Sequence, residues 1–552
     1  MMLPLERGSF EQFLAVREFL GQAGYNERAV SQRLGLDGLH EYLCDREKHE
    51  APPQAELSDS LGALVQLLLA GNSVSRVQLN GIIPSAAQES LEALGILCPH
   101  PAQPERCYSP VALYPVDDLF IASDRWKTLD GSPIAKDYVF PAIHPLTHDF
   151  LALLPHGPCE RLLDLCSGTA IAALRASRCY ARQSWAVDIT ERATHLGEFN
   201  RRLNDVRNAT VLQGDLYKPL TGMRFDRIVA HPPYVPTVRG GAIYADGGED
   251  GEFITRAIVQ GLPQFLEPHG SFYCVTTGVE RENEPYEQRV REWLGAEQSA
   301  FDILFVADRT QGPMQFAYHV TRRDKGNWEL MDEWCTHLER LKVKNFVRGL
   351  LLIQARDGRR STFTVRRERG ERAGAAETEW LRGWKSRWTD SARRTALMDH
   401  RPRMSARLEL VVVHDQHDGQ LIPSKFTLKV VCPFAVEYEC PAWVATFVTR
   451  CDGKSTALEH FVAGKRDDSI PPDMPVEEFA STLEELISQG IIGIEECVAS
   501  ANERIAQVPE GENGLERGKR ITRHAAKRVG REREPVAAPE SQPGELSEVM
   551  TD

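Results

Sequence analysis

The spacing of apolar residues changes several times along the chain, and each change predicts a different kind of element. Near the start, Phe10, Phe13, Leu14, Phe19 and Leu20 recur at roughly helical spacing. Leu57 to Leu69 does the same and stops at Gly71-Asn72, a helix-ending signal. Ser85 is placed to cap a short helix over Ala86 to Leu94, after which Ile96-Leu97 and Val111 to Tyr114 predict wing strands. This order resembles a winged-helix module, although its 86–94 helix carries no Lys or Arg with which to read DNA. From about residue 160 short apolar runs take over. They are Arg161 to Asp164, Ser184 to Val187, Thr210 to Gln213, Phe225 to Ala230, Gly270 to Val275, Ile303 to Val306 and Phe346 to Ala355. Such runs separated by helical stretches predict a doubly wound, mainly parallel sheet. Leu330, Trp334 and Leu338 predict an amphipathic helix over 328–341 between the last two strands. Further on, 406–440 alternates as strand, and helices over 443–449, 458–461 and 479–487 with a strand at 491–494 predict a second winged-helix-like unit.

The ends of the predicted strands carry the chemistry. After Asp164 the chain reads Leu165-Cys166-Ser167-Gly168-Thr169, a tight small-residue turn before an apolar helix. Gly168 admits close backbone approach, but Cys166 and Ala170 stand where a dinucleotide fingerprint has glycine, so a pyrophosphate is poorly served. Asp188, about 20 residues on, suits ribose hydroxyls. Gly214-Asp215 ends the third strand with a carboxylate able to accept from an adenine amine. The fourth strand runs into His231-Pro232-Pro233-Tyr234. Two prolines cannot continue a ladder, so they stiffen a loop at the sheet edge where α/β proteins bind ligands. The loop is either a plain turn or a seat for a flat amino-bearing group.

Residues from about 137 to 310 resemble a class I S-adenosylmethionine-dependent methyltransferase of the HemK/PrmC type, which methylates glutamine side-chain amides. The motif Asp164 to Thr169, the acids Asp188 and Asp215, the Pro-Pro-Tyr loop, the stretch Gly247-Gly248-Glu249-Asp250-Gly251 and the segment Pro141 to Thr147 carry the resemblance. It implies a seven-stranded Rossmann-like sheet and S-adenosyl-L-methionine as cofactor. Asp164, Cys166, Gly168, Asp188, Gly214 and Asp215 would bind it, while His231, Pro232, Pro233 and Tyr234 would orient the acceptor. That family has Asn, Asp or Ser where this chain has His231. A neutral imidazole accepts through one nitrogen only. His231 is therefore a hydrogen-bond acceptor for the target nitrogen, a general base for another nucleophile, or an ordinary loop residue. The acceptor is a protein (glutamine) amide or an RNA or DNA base. The alternative function is a catalytically weakened cofactor-binding regulatory or assembly protein acting through its terminal domains.

Composition narrows the field without choosing. The 552 residues, 42% of them apolar, are enough for three or more domains. The expected division is 1–115 helical and winged-helix-like, 116–356 methyltransferase, 357–405 charged connector, 406–500 winged-helix-like and 501–552 disordered tail. Within the connector, Trp380, Trp384 and Trp388 stack bases or pack onto a neighbour. A formal net charge of −14 argues against a nucleic-acid footprint over the whole chain. The basic cluster from Arg517 to Arg533 either docks on nucleic acid or ribosome or merely solvates the tail. The cysteines show no C-x-x-C pairs, and Cys166, Cys274 and Cys432 read as core residues in a reduced compartment. No metal-ligand spacing, signal peptide or membrane span is expected, which predicts a cytoplasmic enzyme. Oligomeric state is not legible.

Overall fold

The computed structural model describes residues 5–43, 57–126, 134–238, 240–321, 328–356, 361–389 and 391–494. These fall into two compact units. The first takes the described residues up to 389 together with Cys432–Ala435, and the second takes the rest from 391. The basic cluster at 517–533 lies outside the described residues.

The first unit is built on a sheet whose strands follow the predicted runs. They are β1 (Cys159–Leu165), β2 (Ala181–Asp188), β3 (Ala209–Gln213), β4 (Phe225–Ala230), β5 (Leu266–Glu280), β6 (Phe301–Gln311), β7 (Asn345–Ala355) and β8 (Thr364–Arg369). Their order is β3-β2-β1-β4-β5-β7-β6-β8. All neighbours pair in parallel except β7, which runs antiparallel to both β5 and β6. The order reverses between β1 and β4, and α/β sheets open their ligand crevice at such a point. Seven strands were expected; the eighth, β8, comes from the stretch expected to be a charged connector. The connector reading fails there because β8 pairs with the buried β6 from Ile303↔Thr364 to Ala307↔Glu368. Its charges find partners, as where Arg369 binds Asp149 at 2.7 Å.

The same stretch supplies a helix over Ala375–Trp388. Trp380 and Trp384 stack at 5.7 Å, and Trp384 and Trp388 lie 5.6 Å apart. Trp384 and Trp388 are buried and Trp380 is half-buried, so the ladder mainly packs onto its neighbours.

The N-terminal helices form as their spacing requires. Phe10–Gln22 starts with a capping box between Ser9 and Gln12. It buries Phe13 against Phe199, 5.3 Å away on the helix Glu191–Leu203 that follows β2. The 57–69 helix begins at Ser60 and widens to a π-type turn over Val65–Ala70, ending at Gly71 with φ 77°. Arg125 accounts for the freed carbonyls there, donating to Leu68 at 3.2 Å and also to Leu67. Two details differ from expectation. Ser85 does not cap its helix; it is the first helical residue after Pro84. Val111–Val116 is not a wing strand but pairs with Leu119–Asp124 in a separate hairpin. The three-stranded sheet here is Val74–Ser75, Gln103–Tyr108 and Cys98–His100.

In the second unit the predicted helices form at Ala442–Arg450, Ala457–Arg466 and Val476–Ser488, close to the expected ranges. They share a core of Phe447, Phe461 and Phe479.

Glu252 ties the loops of the first unit together. It is fully buried, accepts from the Val279 backbone N–H at 2.6 Å, and pairs with Arg289. Removing one member of a buried pair strands the other. Glu252→Ala is expected to lower stability by about 3–5 kcal/mol, with Glu252→Gln costing less. Urea unfolding followed by tryptophan fluorescence checks this, since Trp293 lies 5.6 Å from the Arg289 guanidinium.

Candidate active site

The turn after β1 has an unusual backbone. Cys166, Gly168 and Ala170 have φ of 57°, 51° and 63°. The two residues that replace glycine thus still take the left-handed conformation, which costs a residue with a Cβ about 1 kcal/mol or more. What holds them there is local. Ala170 donates to the Ser167 carbonyl at 2.7 Å, and Ser167 donates to the Val187 carbonyl at 3.2 Å. The Gly168 N–H donates to Asp188 Oδ2 at 2.9 Å. No protein atom lies within 3.9 Å of the position a Cβ on Gly168 would take. That open side faces a cavity.

The cavity has a volume of about 690 Å³, within the usual range for a cofactor-sized molecule. Asp164, Cys166, Gly168, Asp188, Gly214, Asp215, His231, Pro232, Pro233 and Tyr234 all line it. The residues that the sequence offers for the cofactor and the acceptor are therefore brought to one place, at the switch between β1 and β4. Among the described residues no cluster of His, Cys, Asp or Glu is arranged to hold a metal, and no helix is long and apolar enough to cross a membrane.

The three acids differ. Asp164 is buried and accepts only from the Ala173 N–H, at 3.2 Å; burial pushes its pKa up to about 8, with the nearby Asp188 charge adding to the rise. Asp188 is also raised by burial, against hydrogen bonds that favour its charged form. Its Oδ1 takes two bonds from Thr190, both 3.1 Å, so after the Gly168 contact its capacity lies mainly on Oδ2. Asp215 is exposed at the rim and pairs with Lys218 at 2.7 Å.

His231 follows β4 and stacks on Phe150 with ring centroids 5.2 Å apart. Burial and then the Arg348 cation pull its pKa down to about 4, with Asp149 opposing. The imidazole is neutral at physiological pH. Tyr234, 5% exposed, lies with its ring 5.9 Å from that of His231. The Gly-rich stretch explains itself here. A Cβ on Gly251, which has φ 79°, would stand 2.5 Å from the Tyr234 carbonyl oxygen, and one on Gly247 would stand 2.5 Å from the Gly251 carbonyl. Asp246 folds this loop, accepting from Thr237 Oγ1 at 2.8 Å and from the Gly248 N–H at 2.9 Å.

Three parts of the site escaped the sequence reading. Phe150 is one, because nothing in its helix marks it as a ring partner. An aromatic wall is another: Tyr138, Phe140 and Tyr244 meet with centroids 5.2 to 6.1 Å apart, and all three line the cavity. The third is the helical insertion Pro313–Thr321 and Trp328–Arg340, which contributes Val320, Leu330 and Trp334 to the cavity. It is fastened to the Gly-rich loop where His337 Nε2 meets the Glu249 carbonyl at 2.8 Å. The amphipathic spacing over 328–341 signalled the helix but not what it faces.

Residues 145–301 match the methyltransferase small domain. The match runs from the helix before β1 to the start of β6, and so contains the β1 turn, the three acids and the Pro-Pro-Tyr loop. The chain is 32% identical over 161 residues to the ribosomal protein uL3 glutamine methyltransferase of Bradyrhizobium diazoefficiens, covering 27% of this chain and 50% of that protein. It is 30% identical to the release factor glutamine methyltransferase of Thermodesulfovibrio yellowstonii, covering 21% and 45%. It is 33% identical to that of Moorella thermoacetica, covering 20% and 45%. The chain thus spans about half the length of the curated relatives it matches.

The His231 environment yields a pH prediction. Its folded pKa lies below the unfolded value of about 6.5, so between these values the unfolded chain binds more protons. Its contribution to stability is therefore present above about 6.5 and lost as the pH falls toward 4. In a proton NMR titration the His231 Cε1–H resonance should stay flat from pH 5.5 to 8.5; a midpoint near 6.5 would contradict the half-buried, neutral ring.

Proposed function

We propose that the first unit is an S-adenosylmethionine-dependent methyltransferase acting on the side-chain amide nitrogen of glutamine in a protein. The observation that carries this is the convergence, in one cavity, of the open Gly168 turn bonded to Asp188 and the stiff His231–Tyr234 loop. The likeness to methyltransferases whose acceptors are a ribosomal protein and release factors supports a protein acceptor over a nucleobase.

Asp164, Cys166, Gly168, Asp188, Gly214 and Asp215 are assigned to the cofactor. The cavity's size and the empty space beside Gly168 fit it. When bound, it supplies a methyl group already activated on a sulfonium. The protein's task is then alignment. One ring nitrogen of His231 accepts a hydrogen from the target nitrogen, and a backbone carbonyl of the loop accepts the other, which turns the nitrogen toward the donor. Phe150 fixes the plane of the imidazole. With a pKa near 4 the ring is a weak base, so its role is orientation, and the N–H proton displaced as the nitrogen is methylated passes to solvent. Tyr234 and its rigid neighbours keep the loop from relaxing, since small misplacements of a reacting atom cost large factors in rate.

The terminal regions are assigned to recruitment of the acceptor. The N-terminal helices and small three-stranded sheet support reading that end as a winged-helix-like recruitment module, and the basic cluster at 517–533 would supply charge for a ribosomal partner.

The test has two arms. Calorimetry with S-adenosylmethionine should show binding that Asp188→Ala abolishes. Labelled methyl transfer from the cofactor into cell extract should appear in the protein fraction and fall about a hundredfold with His231→Ala, with cofactor affinity little changed. Label confined to the RNA fraction would overturn the acceptor assignment, and the absence of cofactor binding would overturn the whole reading.

A further inference from the structure

Arg348 lies on β7, between β5 and β6, and its guanidinium gathers groups from several elements. One nitrogen binds Asp149 Oδ2 at 2.9 Å, on the helix Pro145–Ala152. Another binds Asp308, where the pairing of β6 with β7 slips between Ala307 and Arg309. A bulge of this kind re-aims a side chain, here a carboxylate, at the cost of ladder pairing. The Tyr234 hydroxyl bonds to the same guanidinium. Arg369 of β8 completes the group, binding Asp149 Oδ1 at 2.7 Å and lying 3.7 Å from Asp308.

Two cations and two carboxylates balance in charge, and Arg369 already reaches both acids. What Arg348 adds is the tie to Tyr234. Two of its ties lead toward His231. The Tyr234 ring lies 5.9 Å from the imidazole, and Phe150, next in sequence to Asp149, stacks on it at 5.2 Å. Both rings beside the histidine therefore run back to one guanidinium. A planar fork holds several partners in fixed directions, which a lysine ammonium does not. Arg348 does not line the large cavity itself, so it acts through these two rings.

We propose that Arg348 is a positioning residue for methyl transfer, an inference that rests on the methyltransferase reading above. By holding the Tyr234 hydroxyl and the carboxylate beside Phe150, it fixes the two rings against which His231 packs. With them it sets the direction in which the imidazole meets the acceptor nitrogen. The support comes from an interior strand, which suits a geometry that must be kept to within about 0.5 Å. Arg348 lies beyond the 145–301 segment, so the strands that follow supply this support to the matched segment.

The full chain carrying Tyr234→Phe, Asp149→Asn, Arg348→Lys or Arg348→Gln tests this. Calorimetry gives each variant's affinity for S-adenosylmethionine. Labelled methyl transfer into the protein fraction at saturating cofactor gives the rate, and proton NMR follows the His231 Cε1–H resonance. Tyr234→Phe and Asp149→Asn cut one tie each, and Arg348→Lys keeps the charge without the fork. Each of these three should lower the rate about tenfold, with cofactor affinity within about twofold of the wild type. In Asp149→Asn and Arg348→Lys the resonance should also move, because the rings of Phe150 and Tyr234 shift against the imidazole, yet stay flat across neutral pH. The charges acting on that imidazole are Arg348 of β7 and, opposing it, Asp149, with Asp308 of β6 and Arg369 of β8 bonded to these two. Only Arg348→Gln removes a cation there, so it alone should raise the titration midpoint. A wild-type rate in any of the first three variants, or a loss of rate matched by an equal loss of cofactor affinity, would overturn the positioning role, and these three decide it even where Arg348→Gln fails to fold. Resonance shifts as expected in a protein that transfers no label would instead keep the link from Arg348 to His231 and remove the methyltransferase reading.

Discussion

The bond from the Gly168 N–H to Asp188 Oδ2 joins the turn after β1 to the end of β2, and the shape of the cavity depends on it. Three residues of that turn have positive φ, two of them with a Cβ, so the turn is a conformation the chain does not choose by itself. It persists because a partly buried carboxylate, a backbone bond to Val187 and the close packing of Ala170 hold it from three sides. The Ala170 Cβ lies 3.2 Å from where a Cβ on Gly197 would stand, so the close approach of the helix after β2 is eased by a residue 197 without one. The same acid that holds the turn is the one assigned to the ligand. Filling the site and keeping its floor in place are thus linked through a single side chain.

The opposite wall is held by backbone contact. The Pro-Pro loop cannot pair with a neighbouring strand, and its carbonyls need partners or close cover. The Gly247–Gly251 stretch supplies both: Gly247 donates to the Val235 carbonyl at 2.9 Å, and Gly251 lies against the Tyr234 carbonyl with no room for a side chain. Glu252, next in sequence, then anchors the loop to β5 and to Arg289. The spacing between the Pro-Pro loop and the glycines is thus a consequence of packing. One segment stiffens this wall of the cavity and the other clamps it.

Much of this was legible because it lives at strand ends. Apolar runs closed by Asp188, Gly214-Asp215 and His231 gave the strands, and the parallel sheet puts those ends on one edge, so the cavity followed from topology. What the sequence hid falls into two kinds. The first is pairing between distant charges: β8 looked like a solvated connector because its arginines find Asp149, Glu280 and Asp308 only in the folded unit. The second is the identity of neighbours across elements. Phe150 under His231 and the Tyr138–Phe140–Tyr244 wall are meetings of segments that no local period encodes. The Trp380–Trp388 ladder shows the converse, since its spacing was plain and its burial settles what the spacing left open.

The imidazole at position 231 is intelligible in these terms. A side-chain amide oxygen, as on Asn, accepts hydrogen bonds without any question of protonation, whereas a histidine can do so only while neutral. The surroundings supply that neutrality. Phe150 and Tyr234 pack beside the ring and partly cover it, and the Arg348 cation, held by Asp149 and Asp308, disfavours a second positive charge beside it. Arg348 is thus held by two carboxylates while its charge acts on the histidine. The histidine at the end of β4 is thus kept uncharged in part by a cation from β7, which lies beyond the 145–301 segment that matches the methyltransferase small domain. The chemistry of that segment is thus set in part by residues outside it.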